Sequence, residues 1–284
     1  MQAQHRAETR GIERPSPMNM RVFVGLMAAL SAVLPAQQET MQARGKRVVE
    51  ESLKALGGSR FLGMEDRVES GRAYSFYREE LQGLSKARIY TRYVVRPEPP
   101  VAGFFGVRER QVFGKDDNTG VLFNETGAWE VTFRGARPLA DDRVKAYRDS
   151  TFNNIFYILR QRLGEPGLNF LSQGSDIWEN QPVEIVQIAD AANRVVTVYF
   201  NQSSKLPVRQ FYQRRNPVTK EKDDEVTLYS KYRDVGGVMW PFQILRERNG
   251  EKIFEIFSES VTINGNLKDD LFMLPGNIKV LKKP

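Results

Sequence analysis

Residues 40–56, "TMQARGKRVVEESLKAL", place apolar side chains at Met41, Val48, Val49, Leu53 and Leu56 and then meet Gly57-Gly58. That spacing predicts an amphipathic helix closed by a glycine cap. From Val68 to Phe133 the period changes to two, through "ESGRAYSFY", "KARIYTRYVV", "RERQVFG", "GVLFN" and "AWEVTF". These segments are aromatic and β-branched and are separated by Gly, Asn, Asp and Pro, which predicts antiparallel strands joined by tight turns. In the last of them Trp129, Val131 and Phe133 share one face and Glu130, Thr132 and Arg134 the other, so one face is expected dry and one wet.

Residues 139–163 return to helical spacing through Val144, Tyr147, Phe152, Ile155, Phe156, Leu159 and Leu163, and Gly164 and Pro166 end the run. Asp141 or Asp142 suits its start, and Asp149-Ser150-Thr151 is a candidate break. From Phe170 onward the pattern is again that of strands: "PVEIVQIAD", "RVVTVYFNQ", "LPVRQFYQRR", "DEVTLYSKYRD", "GVMWPFQILRER" and "EKIFEIFSESVTI". The loops between them have hairpin lengths rather than crossover lengths. The turn signals predict about 10–12 strands. Two helical segments among so many consecutive strands define an α+β chain with a long antiparallel sheet.

Asn249-Gly250 is a two-residue hairpin signal. It sets Arg246 opposite Ile253, Ile244 opposite Glu255 and Phe242 opposite Phe257, with Trp240, Phe242 and Phe257 on one face. Pro241 cannot donate to a ladder and is expected at an edge or a bulge.

Composition narrows the chemistry. The chain has no cysteine, so disulfides, thiolate metal sites and a cysteine nucleophile are excluded. Its one histidine, His5, precedes the apolar run "VFVGLMAALSAVL" at 22–34, which is flanked by Arg21 and Pro35-Ala36. That layout predicts an upstream extension plus signal peptide over residues 1–36, with Met18 or Met20 as the true start, and a single domain over 37–284. The run is too short for a membrane anchor. A mature chain without His or Cys lacks Ser-His-Asp, Cys-His and histidine-rich zinc chemistry. The net charge of +7 is spread along the sequence and favours anionic partners.

Carboxylate pairs at Glu79-Glu80, Asp141-Asp142, Asp223-Asp224 and Asp269-Asp270 fall where turns or helix starts are expected. They suit capping and solubility better than paired acid–base work. "KDDNTG" (115–120) lacks the ligand spacing of a calcium loop and suits a hairpin turn, and "DVGGV" precedes a strand and lacks nucleotide-loop spacing. "RQFYQRR" (209–215) sets bases beside aromatics, a pattern that serves nucleotide stacking or, in an exported protein, a rim facing phospholipid. In "RPEPPVAGFFGV" (96–107), Phe104 and Phe105 are read as loop anchors, with a flap as the alternative.

A long curling sheet needs contents, and aromatic strands with two amphipathic helices suit an acyl chain. Burying ~16 carbons at ~0.8 kcal/mol per methylene contributes roughly 10 kcal/mol at most. The candidate lining is Trp129, Val131, Phe133, Phe152, Ile155, Phe156, Leu159, Tyr199, Phe211, Trp240 and Phe242, each of which serves ordinary core packing equally well.

The helix ending in "KALGGSRFL", the strand series interrupted by a helical segment, "SSKLPVRQFYQRR" and "YRDVGGVMWPFQILRERNGEKIFEIFSESVTINGNLKDDLFMLP" together resemble the periplasmic lipoprotein-carrier superfamily, the LolA/LolB-like proteins and their LppX-like relatives. The resemblance covers most of residues 40–275 through element order. It implies an incomplete antiparallel β-barrel with helices as plug and lid over a hydrophobic cavity. It also implies a soluble, monomeric, non-enzymatic periplasmic carrier of a lipid or an acylated lipoprotein, with transient membrane contact. No cofactor, metal or nucleic-acid partner is expected. Two alternatives stay open: a sensory envelope module on the same fold that binds a protein partner, and a hydrolase using carboxylates alone.

Overall fold

The computed structural model describes residues 39–114, 119–216 and 219–284. The expected extension and signal segment at 1–36 and the turn at 115–118 lie outside the described residues. Helix α1 (Met41–Ala55) starts where the Thr40 side chain accepts from the Ala43 amide at 3.1 Å. Gly45, Val48, Val49 and Ser52 form its buried stripe. After Gly57 (φ 122°) and Gly58 (φ 56°) comes the single turn α2 (Ser59–Leu62). These conformations suit glycine, so the cap read from the sequence is the one used.

The strands are β1 (Asp66–Tyr77), β2 (Glu80–Tyr93), β3 (Val107–Phe113), β4 (Thr119–Asn124), β5 (Gly127–Thr132) and β6 (Gly135–Pro138). Helices α3 (Asp141–Phe152) and α4 (Ile155–Tyr157) follow, α4 continuing as a π-helical turn through Ile158–Arg162. Then come β7 (Asn169–Trp178), β8 (Gln181–Ala189), β9 (Val195–Asn201), β10 (Pro207–Arg215), β11 (Lys222–Val235), β12 (Val238–Arg248) and β13 (Glu251–Ile263). The helical region breaks at Asn153-Asn154 rather than at Asp149-Ser150-Thr151. Asn154 ends one helix and begins the next because its side chain accepts from the Phe156 and Tyr157 amides at 2.9 and 3.2 Å.

All thirteen strands join one antiparallel sheet in the order β6-β5-β4-β3-β2-β1-β13-β12-β11-β10-β9-β8-β7. Strands β1 and β13 pair in the middle, so the first and last strands hold the two halves together. The sheet does not close. Its edges, β6 and β7, are joined by the one long connection, which carries α3 and α4. These edges are also the strands with the weakest pattern. Strand β6 is four residues long, and β7 is interrupted by a bulge beside Gly174 at φ 94°.

The β12–β13 hairpin turns at Asn249-Gly250, and the expected register holds for Arg248 with Glu251 and Glu247 with Lys252. A bulge then takes up Ile253, so Arg246 faces Phe254, Ile244 faces Ile256 and Gln243 faces Phe257. Phe257 therefore lies on the outer face, where Tyr74 meets it edge-on at 5.8 Å. Pairing with β13 begins at Gln243, which leaves Pro241 with only β11 beside it, a local edge inside the sheet. The end of α1 enters this gap, and the Leu56 carbonyl accepts from the Met239 amide at 3.0 Å.

Side chains of α1, α2 and α4 pack on the inward residues of β8–β12 in the main core, which includes Val49, Leu56, Phe61, Ile155, Leu159, Val198, Phe200 and Trp240. Helix α1 lies close on β7: a Cβ at Gly45 would stand 2.6 Å from the Phe170 carbonyl oxygen. The π-helical turn is clamped by charge. The Arg162 guanidinium meets Glu165 and Asp190, each at 2.6 Å, and donates to the Phe152 carbonyl at 2.7 Å, while Arg194 reaches Asp190 at 2.7 Å. Burial alone would raise the Asp190 pKa, but the hydrogen bonds from Arg162 and Arg194 outweigh it and hold the carboxyl below its ordinary value.

Two variants test these contacts. Intrinsic propensity favours alanine over glycine in a helix by about 1 kcal/mol. Gly45→Ala is nevertheless expected to destabilise the protein by about 1–3 kcal/mol in urea unfolding, because the methyl meets backbone. A variant at least as stable as the parent would refute the close approach. Arg162→Met leaves two buried carboxylates short of their main partner and is expected to cost about 3–5 kcal/mol in the same measurement; a loss under 1 kcal/mol would show that the clamp is not structural.

Candidate functional site

Period-two alternation carries the inward residues of β1–β4 into cross-strand rows. Arg67, Thr91, Glu109 and Phe123 are successive partners across four strands, and Ile89, Gln111 and Val121 form the next row. From the other half of the sheet, Thr227, Arg246 and Phe254 form one row and Tyr229, Ile244 and Ile256 another. These rows face a cavity of about 390 Å³ that α3 covers with Arg143, Ala146, Tyr147, Ser150 and Thr151. The volume falls within the roughly 300–1,000 Å³ of ligand pockets. The concave face is thus divided: α1, α2 and α4 fill the half under β8–β12, and the half beneath α3 stays open.

The cover is held lightly. Of the twelve residues of α3 only Phe152 is buried. Tyr147 stacks on Phe123 with centroids 3.5 Å apart and planes at 10°, and Phe105 meets Tyr147 and Phe152 edge-on. The 94–106 loop is therefore an anchor and not a flap. Gln161 Nε2 donates to the Val94 and Gly106 carbonyls, and the Gly106 amide donates to the Tyr157 hydroxyl at 2.9 Å.

Of the eleven residues expected to line a cavity, Phe156 and Trp240 do so, with ring centroids 4.9 Å apart. Ile155 and Leu159 are fully buried in the main core. Phe152 packs with Tyr157 and Phe105, and Phe242 is buried beneath the Arg233 guanidinium at 4.5 Å. Tyr199 and Phe211 lie on the outer face under Arg209, at 4.7 and 5.8 Å, because their neighbours Val198, Phe200 and Tyr212 point into the core. Trp129 and Val131 are also on the outer face, since Trp129 pairs with Leu122 while Val121 and Phe123 face the cavity. The C-terminal segment crosses that outer face, where Arg110 and Asn124 donate to the Leu271 and Phe272 carbonyls at 3.2 and 2.7 Å. Phe133 stands in the following turn, 83% exposed. Trp129 and Val131 are half-buried on the outer face, and the tail's hydrogen bonds go to β3 and β4.

The sequence reading missed the polar residues of the cavity, among them Arg67, Glu69, Glu109, Gln111, Arg214, Glu225, Arg246 and the tyrosines Tyr147, Tyr212 and Tyr229. The signal was present in "VRERQVF", where Glu109 and Gln111 share a face with Val107. At the mouth Glu225 accepts from Arg214 and Arg248 at 2.9 and 2.8 Å. Deeper, Arg67 lies 4.0 Å over the Trp240 ring, donates to Thr91 at 3.1 Å and stands 3.9 Å from Glu69, which accepts from Ser258. Burial raises the Glu109 pKa above its ordinary 4.5; the hydrogen bond from Gln111 at 2.5 Å and the charges of Arg67 and Arg246 oppose this without cancelling it. Burial likewise pushes the Tyr147, Tyr212 and Tyr229 hydroxyls up. None of the three is activated as a nucleophile or base.

Of the four carboxylate pairs, Glu79-Glu80 lies at the β1–β2 turn, Asp141-Asp142 opens α3 and Asp269-Asp270 opens a 3₁₀ turn. Asp223-Asp224 lies inside β11 instead, where consecutive side chains diverge to opposite faces. Glu69 and Glu109 do face one cavity, the arrangement that the hydrolase alternative asks for. Among the described residues no group of three or more His, Cys, Asp or Glu side chains is placed to hold a metal. No described helix is long and apolar enough to cross a membrane.

The described residues thus form an unclosed antiparallel half-barrel, filled by helices on one side and roofed by a helix on the other. Among solved structures, the chain is similar to a DUF1329 family protein from Desulfovibrio piger, at 12% identity and TM-score 0.53 over 81% of this chain and 97% of that one. It is also similar to a putative outer membrane lipoprotein-sorting protein domain from Vibrio parahaemolyticus, at 11% identity and TM-score 0.51 over 80% and 97%. A LolA superfamily protein from Nitrosomonas europaea aligns at 10% identity and TM-score 0.43 over 81% and 97%. The likeness to the first two of these structures shows that the chain shares their fold. No protein-family model and no curated protein matches the chain.

The raised Glu109 pKa sets a sign. Above pH ~4.5 the unfolded chain releases this proton while the folded protein keeps it, so the folded state binds more protons and stability falls as pH rises through the window up to the folded pKa. Glu109→Gln removes that loss. Its thermal midpoint is expected to exceed the parent's at about pH 8, with the gap shrinking toward about pH 4. A gap that does not change with pH would contradict the assignment.

Proposed function

We propose that this chain is a non-enzymatic carrier of the periplasm that holds the acyl part of a lipid or lipoprotein in the cavity beneath α3. The observation that carries this reading is the cavity itself: about 390 Å³, continuous with an apolar wall of Ile89, Val121, Phe123, Ile244, Phe254 and Ile256, and closed by a helix with one buried residue. A helix so lightly embedded opens at low cost compared with the sheet. The likeness in fold to a lipoprotein-sorting domain supports the reading.

Holding suits the chemistry better than turnover does. The cavity tyrosines are shifted away from reactivity, and Glu69 is occupied by Ser258 and Arg67. Glu109 alone has the character of a proton donor, and it faces no activated nucleophile.

Native mass spectrometry of the protein purified from a bacterial envelope, with lipid extraction of the same sample, tests the proposal. A bound mass that extracts as an amphiphile is expected. A protein that arrives empty and takes up neither a fatty-acid nor a phospholipid probe would overturn the carrier reading.

A further inference from the structure

Three buried polar atoms in the wall of this cavity have no hydrogen-bond partner: Arg67 Nε, Tyr147 Oη and Trp240 Nε1. All three can donate. Arg67 is 9% exposed and Trp240 2%, so water in bulk does not serve them. Buried donors are almost always paired, and three orphans among the residues of one small wall are an exception; none of the three atoms is open to a water-sized sphere, so an acceptor meets them only as a ligand shifts the side chains over them. The neighbouring Thr151 hydroxyl donates to the Tyr147 carbonyl at 2.9 Å and is, among the described residues, the one group close enough to compete for the Tyr147 hydroxyl.

The charge of the same wall is unbalanced. Arg214 and Arg248 share Glu225, and Arg67 lies beside Glu69. Arg246 lines the cavity with no side-chain hydrogen bond or ion pair among the described residues, and its charge acts on Glu109, Tyr147, Tyr212 and Tyr229 alike. Stacking on Trp240 fixes the plane of the Arg67 guanidinium, whose Nη2 donates to Thr91 while its Nε–H has no acceptor.

We infer that the wall formed by Arg67, Tyr147, Trp240 and Arg246 is a subsite for the anionic group of an amphiphile, a carboxylate or a phosphate. This rests on the carrier reading and adds the ligand's polar end to it. The hydrocarbon lies along Phe123, Ile244, Phe254 and Ile256. Burial raises the Glu109 pKa and so disfavours the charge that would oppose the anion.

The test is a displacement titration of a fluorescent fatty acid from the full-length protein by three competitors that share one chain: palmitic acid, palmityl-lysophosphatidic acid and palmityl alcohol. At least one of the two anions is expected to bind about tenfold or more tighter than the alcohol, and whichever is tighter names carboxylate or phosphate as the source. In Arg246→Met and, separately, in Tyr147→Phe, the ratio of anion to alcohol affinity is expected to fall toward about one. Each variant's own alcohol affinity serves as the reference, so a change in folded fraction does not mimic the effect. Equal affinities for all three in the parent protein, or a ratio that survives both substitutions, would overturn the subsite and leave the carrier reading standing. Failure of the protein to bind any of the fatty acid, its analogues or the fluorescent probe would overturn both.

Discussion

A sheet of thirteen strands that stops short of closing has one concave face and two open edges, and everything else in this protein follows from covering them. The pairing of β1 with β13 makes one continuous ladder from two meanders, so the edges fall at β6 and β7, the middle of the chain. One connection then has to run from edge to edge. It carries α3 and α4 across the mouth, which is why this helical insertion becomes the roof. Helix α1 lies on β7 and the C-terminal residues run along β6, where Val280 bridges Ala136 and the Leu281 amide donates to the Ala136 carbonyl at 2.8 Å. Exposed ladder edges invite association with other chains, and both are occupied here from within.

The concave face receives two kinds of cover, and the difference decides its chemistry. Under α1, α2 and α4 the inward positions of β8 and β9 are Val, Ile and Phe, packed without access to water. Under α3 the inward positions alternate apolar and charged groups across adjoining rows, as in Arg67, Thr91, Glu109 and Phe123. Helix α4 belongs to the first regime, being fastened through Arg162, and α3 to the second. The break at Asn153-Asn154 separates a fixed segment from a loosely held one, so motion of the roof need not disturb the core.

Helix α1 was legible in the sequence because Gly57-Gly58 punctuates it and its stripe is strict, whereas the 139–163 run read as helical but its break at Asn153-Asn154 did not show. The 40–56 helix and its Gly57-Gly58 cap are where the spacing puts them. The strands were legible as strands, but their facing was not. The rule that apolar alternation marks the inside fails for β5, where Trp129 and Val131 lie half-buried on the outer face. On β3 both faces carry polar groups, Glu109 and Gln111 inward and Arg108 and Arg110 outward, so alternation marks neither. One extra residue at Ile253 moves the whole far part of the last hairpin by a register step, and nothing local in "NGEKIFEIF" announces it. The polar site was hidden for a related reason: Arg67, Glu109, Tyr147 and Arg246 belong to four elements, and only the cross-strand register brings them together.

A cavity wall that keeps donors without acceptors is destabilising to the empty protein, and the fold tolerates it because the dense half of the core and the buried clamp at Arg162 lie on the other side of the roof hinge. Fixed donors have a compensating property. Arg67 is stacked on Trp240, and Tyr147 on Phe123, so neither side chain must be ordered when an acceptor arrives, and the entropic cost of binding falls on the ligand. Tyr147 belongs to the roof, whereas Arg67 and Trp240 belong to the sheet. An acceptor that takes both sets of donors therefore ties α3 to the wall beneath it, and its loss releases them together. Capture and closure are then one event: the same buried atoms that make the open cavity unfavourable are those that hold the roof down once it is filled.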